Sequence, residues 1–123
     1  MFTYTKALTV GKSNKEYFKG KVIILVNEIT QSQAEYTTMA LRVAPNATVL
    51  GSTTAGADGN VSQFTLPGGI NTMISGIGVY YPDGKETQRI GMIPDIVIKP
   101  TIKGIKQDSD ELIEKAIELI NKR

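Results

Sequence analysis

The 123-residue chain contains neither cysteine nor histidine. Without cysteine it has no disulfide, no thiolate nucleophile and no cysteine-based metal site. The missing histidine excludes more chemistry, because a Ser-His-Asp triad cannot be assembled from these residues alone. Long apolar runs are missing too: nothing approaches the ~18 consecutive apolar residues of a membrane span. The opening "MFTYTKALTV" lacks the basic region and apolar core of a signal peptide. Charge of one sign is also scarce. The formal net charge of +2 is spread over separated lysines. Their one thickening, at Lys12, Lys15, Lys19 and Lys21, reads as a solvated face, with no nucleic-acid partner expected.

What is present is ordinary globular usage, 41% hydrophobic and 21% charged, in a length that suits one domain. Residues 1–20 read as an arm or weak strand followed by a polar loop. "KVIILVN", from Lys21 to Asn27, is a β-branched run without alternation, the pattern of a strand buried on both faces. Tyr36, Met39, Ala40 and Val43 then recur at helical spacing, so a helix is expected over about 33–43, stopping before Pro45. "ATVLG" reads as a second buried strand, which makes a crossover unit with parallel strands. Beyond the glycine-rich "GSTTAGADG", two strands are expected around turns at Pro67-Gly68-Gly69 and Pro82-Asp83-Gly84, and "IPDIVIKP" supplies one more. The C-terminal "DSDELIEKAIELINKR" predicts a helix. Asp108 and Glu111 have capping-box spacing, Ile113, Ala116, Ile117 and Ile120 form its apolar face, and Lys122 and Arg123 complement its dipole.

Ser32 stands where the first strand hands over to the first helix. With Glu35 it has the S-x-x-E spacing of a capping box, in which the hydroxyl accepts the Glu35 amide hydrogen and the glutamate reaches back. The same position suits a nucleophile, since unsatisfied N–H groups at a helix start stabilise an oxyanion formed beside them. A serine nucleophile also needs a general base, and the pattern supplies no obvious one.

Three segments, "KVIILVNEITQSQAEYTTMAL", "VLGSTTAGADG" and "YYPDGKETQRIGMIPDIVI", resemble in order and spacing the C-terminal processing peptidases and their tricorn-like relatives. These tail-specific serine peptidases have a crotonase-like (Clp protease-like) core. The resemblance runs from about Lys21 to Lys99 and rests on a T-x-S-x-A-E segment, a G-x-x-T-x-G loop and a G-x-x-P-D-I strand taken together. It implies an α/β fold, a crotonase-like ββα core fragment with a mixed sheet and flanking helices. Residues 1–20 would be a truncated arm or loop, 21–107 the nucleophile-bearing core and 108–123 the C-terminal helix.

Carried over by position, the resemblance makes Ser32 the nucleophile and the Gln33 amide an oxyanion donor, with Thr54, Gly56 and Ala57 lining the substrate cleft. Ala57 stands where the processing-peptidase branch has its catalytic lysine, which moves the chain toward the tricorn-like branch. There the base is a histidine well upstream of the nucleophile, and the second oxyanion donor is an upstream glycine. The acid of that branch falls on Gln88; Glu86 would replace it only with a shifted alignment. The chain is therefore expected to be the C-terminal portion of a larger peptidase, with Met1 placed before a truncated segment, and inactive alone. The substrate would be a peptide or protein, with no cofactor and no metal. Relatives commonly work outside the cytoplasm, and a truncated sheet invites self-association or segment swapping. The competing expectation is a non-catalytic module of the same fold that binds a peptide or hydrophobic ligand.

Of the remaining features, the glycine-rich loop lacks the GK[ST] ending of a phosphate cradle. Asp58, Asp83 and Asp95 each sit next to or near glycine or proline and read as turn formers. Tyr80 and Tyr81 alternate on a strand, so one should face inward.

Overall fold

The computed structural model describes residues 3–9 and 13–122. The readings that involve Met1, Lys12 and Arg123 lie outside them. Residues 3–9 and 13–20 carry no helix or strand. The elements that follow are β1 (Val22–Val26), α1 (Gln33–Leu41), β2 (Ala47–Gly51), β3 (Asn60–Leu66), β4 (Ile70–Ile77), β5 (Ile96–Val97), α2 (Ile102–Lys106) and α3 (Glu111–Asn121). The chain is thus an α/β protein with one parallel and one antiparallel sheet.

The parallel sheet has the order β1-β2-β5. β1 and β2 run in register from Val22 opposite Ala47 to Val26 opposite Gly51, joined by the expected crossover through α1. β5 adds only Ile96 and Val97, opposite Leu50 and Gly51. The core is small: Val26, Val49, Leu50, Met92 and Ala116 are its buried apolar side chains among the described residues. β1 departs from the expectation of burial on both faces, since Leu25 is 42% exposed and only Val26 is fully enclosed. α3 packs on β1 and β2 and covers part of the sheet.

α1 ends at Leu41, two residues before the expected boundary, and its apolar stripe is not its anchor. Val43 is 68% exposed, Tyr36, Met39 and Ala40 are half-buried, and the enclosed side chains are Glu35 and Thr38. Polar tethers hold the helix instead. At its C-terminal end Arg42 pairs with Asp95 at 2.8 Å and donates to the Ile93 carbonyl at 3.2 Å. Asp95 also accepts the Val49 amide at 2.7 Å, so this residue, expected as a turn former, joins α1 to β2.

β3 and β4 form an antiparallel hairpin turning at Pro67-Gly68-Gly69, as the turn residues predict. The register, Leu66 opposite Ile70 and Ser62 opposite Ile74, places Phe64, Leu66, Ile70 and Ile74 on one face, and all four are exposed. The Pro82-Asp83-Gly84 turn closes with the Gly84 amide on the Tyr81 carbonyl at 2.9 Å. Tyr81 points inward, its hydroxyl 2.9 Å from Met92 Sδ, while Tyr80 meets the Tyr4 ring edge-on.

The C-terminal helix forms, but its cap is Asp110, which accepts the Leu112 and Ile113 amides at 3.1 and 3.0 Å. Asp108, the expected cap, instead closes α2. It takes a left-handed φ of 55°, its amide reaches the Ile105 carbonyl at 3.3 Å, and the Ser109 amide reaches that of Gly104 at 3.0 Å. This is the Schellman arrangement that ends many helices. Glu111 reaches back to the α2 cap, accepting the Thr101 amide at 3.2 Å and its hydroxyl. Ile113, Ile117 and Ile120 stay about half exposed, and Ala116 alone is enclosed on α3. Lys21 donates to the Leu119 carbonyl at 2.9 Å and to that of Lys122, binding the end of α3 to the start of β1.

Candidate functional site

β1 delivers the chain to a tight turn. The Asn27 carbonyl accepts the Thr30 amide at 3.0 Å, and the Asn27 side chain accepts the Ile29 amide at 3.2 Å. Two residues on, Ser32 takes φ 54°, ψ −125° and starts α1. A non-glycine residue is sparsely found there, and holding one costs about 1–3 kcal/mol. The expected capping box is present. Glu35 reaches back, accepting the Ser32 amide at 3.0 Å. The Glu35 amide faces the Ser32 side chain as the box requires and also bonds to the Ser32 carbonyl at 2.8 Å. The hydroxyl is left exposed at the helix start. Gln33, the first helical residue, is exposed, and among the described residues its N–H has no partner. Its side chain lies 3.4 Å from the Thr37 hydroxyl.

The glycine-rich loop folds back onto this turn. The Ala55 amide donates to the Thr30 carbonyl at 2.9 Å. Glu35, 1% exposed, receives the Gly56 amide at 2.8 Å, the Ala57 amide at 2.9 Å and the Thr54 hydroxyl. Burial without a partner would cost a carboxylate several kcal/mol. Charge-assisted hydrogen bonds return about 1.5–3 kcal/mol each, so the four donors offset that cost without a counter-ion. Gly56 has φ 68°, and a Cβ there would lie 2.9 Å from the Arg89 carbonyl carbon, so this position needs glycine on both counts. The Arg89 amide meets the Gly56 carbonyl at 2.6 Å.

The structure therefore brings Ser32, Gln33, Thr54, Gly56 and Ala57 together around Glu35. Gln88 lies at the far end of the same loop, its amide nitrogen 2.3 Å from where a Cβ on Gly59 would stand. Glu86 is separate: it is exposed and bridges Tyr80 at the base of the 82–84 turn. At the C-terminal edge of the sheet, the Ser52 hydroxyl donates to Glu28 at 2.6 Å and holds that carboxylate below its ordinary range. Among the described residues no cluster of three metal-ligating side chains occurs, and no helix is long and apolar enough to cross a membrane.

Asp58 is the residue that its sequence context conceals. Expected at a turn, it is only 5% exposed, and although one oxygen accepts the Gly59 amide at 2.8 Å the other has no partner. Burial, with a smaller push from the Glu35 charge, raises its pKa above the ordinary 3.8. The folded state thus holds this proton more tightly than the unfolded chain does. Stability from this group is present below the unfolded value and is lost as pH rises through the raised one. Asp58→Asn does not titrate, so it is expected to melt above the unaltered chain at pH 7, by ~4 °C for about 1 kcal/mol. The advantage should vanish on acidification to about pH 3, as paired calorimetric scans would show.

Comparison with known proteins gives the chain a family and relatives of the same fold. The family model described as Peptidase family S41 matches residues 3–98. A candidate peptidase from Parabacteroides merdae is 28% identical, with a TM-score of 0.77 over 89% of this chain and 35% of its own. Mature CPAF is 26% identical, with a TM-score of 0.66 over 82% of this chain and 21% of its own. The tricorn protease, 20% identical, shares the fold with a TM-score of 0.71 over 81% of this chain and 10% of its own. The chain spans about a third or less of the length of these structures. Among individually curated proteins, none matches it.

Proposed function

The chain belongs to peptidase family S41, and from that premise we propose that it carries the nucleophile of a serine peptidase acting on peptides or proteins. The observation that carries this reading is the turn at Ser32, an exposed serine held at φ 54°, ψ −125° beside a Gln33 N–H that has no partner among the described residues. A strained strand-to-helix turn of this kind lifts a serine oxygen clear of the backbone. In the proposed reaction Ser32 Oγ attacks the scissile carbonyl, and the Gln33 amide donates a hydrogen bond to the developing oxyanion. The leaving amine takes the proton that the base removed from Ser32, and water then releases the acyl group. Thr54, Gly56 and Ala57 form the adjoining cleft wall.

With no histidine in the chain and alanine at position 57, the base comes from polypeptide outside these 123 residues. Gln88, packed at Gly59, holds the place of the family's acid but is uncharged, and Glu86 would take that role only with a shifted alignment. The crotonase-like core, with self-association through the exposed Phe64, Leu66, Ile70 and Ile74 face, belongs to the same reading. The lysine and acid absent at Ala57 and Gln88 favour a second reading, a binding module of the same fold.

A fluorophosphonate probe separates the two. Applied to the 123-residue chain and to the same chain extended at its N-terminus by the adjoining coding sequence, it is expected to label Ser32 in the extended protein alone. Labelling at another residue would overturn the assignment of Ser32, and labelling of neither protein would favour the binding module.

A further inference from the structure

A helix cap needs little from Glu35. One contact, from the Ser32 amide at 3.0 Å, completes that role. The side chain nevertheless sits in the interior and collects three more donors, all from the glycine loop: the Thr54 hydroxyl, the Gly56 amide at 2.8 Å and the Ala57 amide at 2.9 Å. The Thr54 hydroxyl that donates to Glu35 also accepts the Met92 amide at 2.7 Å, while the Thr54 amide meets the Met92 carbonyl at 3.3 Å. Two segments far apart in sequence, the serine turn and the G-x-x-T-x-G loop, therefore meet on one carboxylate, and the start of the G-x-x-P-D-I strand joins them through Thr54.

The convergence has a mechanical consequence. The Ser32 amide and the Ala57 amide share the same oxygen, Oε2. The loop that walls the cleft is thus two hydrogen bonds from the main chain of the residue in the strained conformation. If the carboxylate were lost, Ser32 could relax toward an ordinary φ and the loop could move independently of it. The hydroxyl and the Gln33 N–H would then lose their fixed mutual placement.

We propose that Glu35, acting with Thr54, is a positioning residue for the reaction assigned to Ser32, holding the nucleophile turn and the cleft loop as one unit. This rests on the peptidase reading above. Glu35 touches neither substrate nor the reacting atoms; its effect passes through Ser32 and the loop.

The test uses the probe-reactive protein and three variants, Glu35→Gln, Glu35→Asp and Thr54→Val, each measured at temperatures where circular dichroism reports a fully folded chain. Glu35→Gln replaces one acceptor by an amide that faces N–H groups, Glu35→Asp retracts the charge by one methylene, and Thr54→Val removes one donor. A displacement of the order of 1 Å at such a site costs up to about a hundredfold in rate. The maximal rate of inactivation by the fluorophosphonate is therefore expected to fall ~30-fold in Glu35→Gln and ~5-fold in Thr54→Val. The concentration for half-maximal rate and the pH midpoint of inactivation should stay unchanged, and Glu35→Asp should recover part of the loss. Folded Glu35→Gln reacting at the unaltered rate would reduce Glu35 to a cap. Should Glu35→Gln fail to fold, folded Thr54→Val at the unaltered rate would overturn the proposal equally. A Ser32→Ala protein that still labels removes the peptidase reading itself, whatever the Glu35 variants do.

Discussion

A Ser32→Gly protein is expected to melt above the unaltered chain, by ~4 °C, while losing all reactivity toward serine-directed probes. The two effects share one cause. At φ 54°, ψ −125° a side chain crowds its own backbone, and glycine alone escapes this. Removing the Cβ should therefore return about 1 kcal/mol. The helix start loses little in exchange, because glycine is nearly as good a cap as serine. Ser32→Ala separates the contributions. It keeps the Cβ and the strain but removes the oxygen and its arm of the capping box, so it should melt somewhat below the unaltered chain and be equally unreactive, each rate falling at least ~10³-fold. Calorimetry paired with probe labelling of the extended protein reads both quantities. A Ser32→Gly protein that melts lower would show that the turn is not strained.

Gly51→Ala should have the largest effect on stability. Gly51 ends β2 with φ 138°, and a Cβ there would stand 1.8 Å from the Val26 carbonyl oxygen. That oxygen belongs to the neighbouring strand and accepts the Ser52 amide at 3.2 Å, so it cannot turn aside without opening the sheet where the glycine loop departs. A backbone collision at a buried strand end should cost at least ~3 kcal/mol, a large part of the 5–15 kcal/mol typical of a domain. In urea the midpoint should fall with an unchanged slope. The folded remainder should also label slowly, since Gly51 feeds directly into the segment that supplies Thr54, Gly56 and Ala57. An unchanged midpoint would mean that the two strands part at little cost.

The features that could be read from the sequence were those coded locally. Turn residues placed the hairpin, the β-branched runs placed β1 and β2, and the 3.6-residue period placed α3. Ser32 could be singled out because its capping spacing and its motif coincide. What escaped depends on encounters between distant segments. The S-x-x-E pattern indicates a glutamate near a helix start but not the loop amides that enclose it. Asp58 and Asp95 look alike beside glycine and proline, yet one is sealed with a free oxygen and the other joins α1 to β2. Asp108 and Asp110 both precede the same helix, and their roles are decided by α2, a five-residue helix with no readable period. The exposure of Val43 likewise goes with α1 being held by polar tethers at its ends rather than by its apolar stripe.

The bond from Lys21 to the last carbonyls of α3 gives the molecule a usable rear side. It fixes the end of α3 where β1 begins, whereas the Ser32 turn and the glycine loop lie beyond the other end of that strand. The five residues of β1 separate the two sites by roughly 16 Å. A fluorophore or surface linker joined after α3 would therefore stand clear of the cleft, and a signal from it on ligand addition would report motion carried through the sheet rather than contact with the dye.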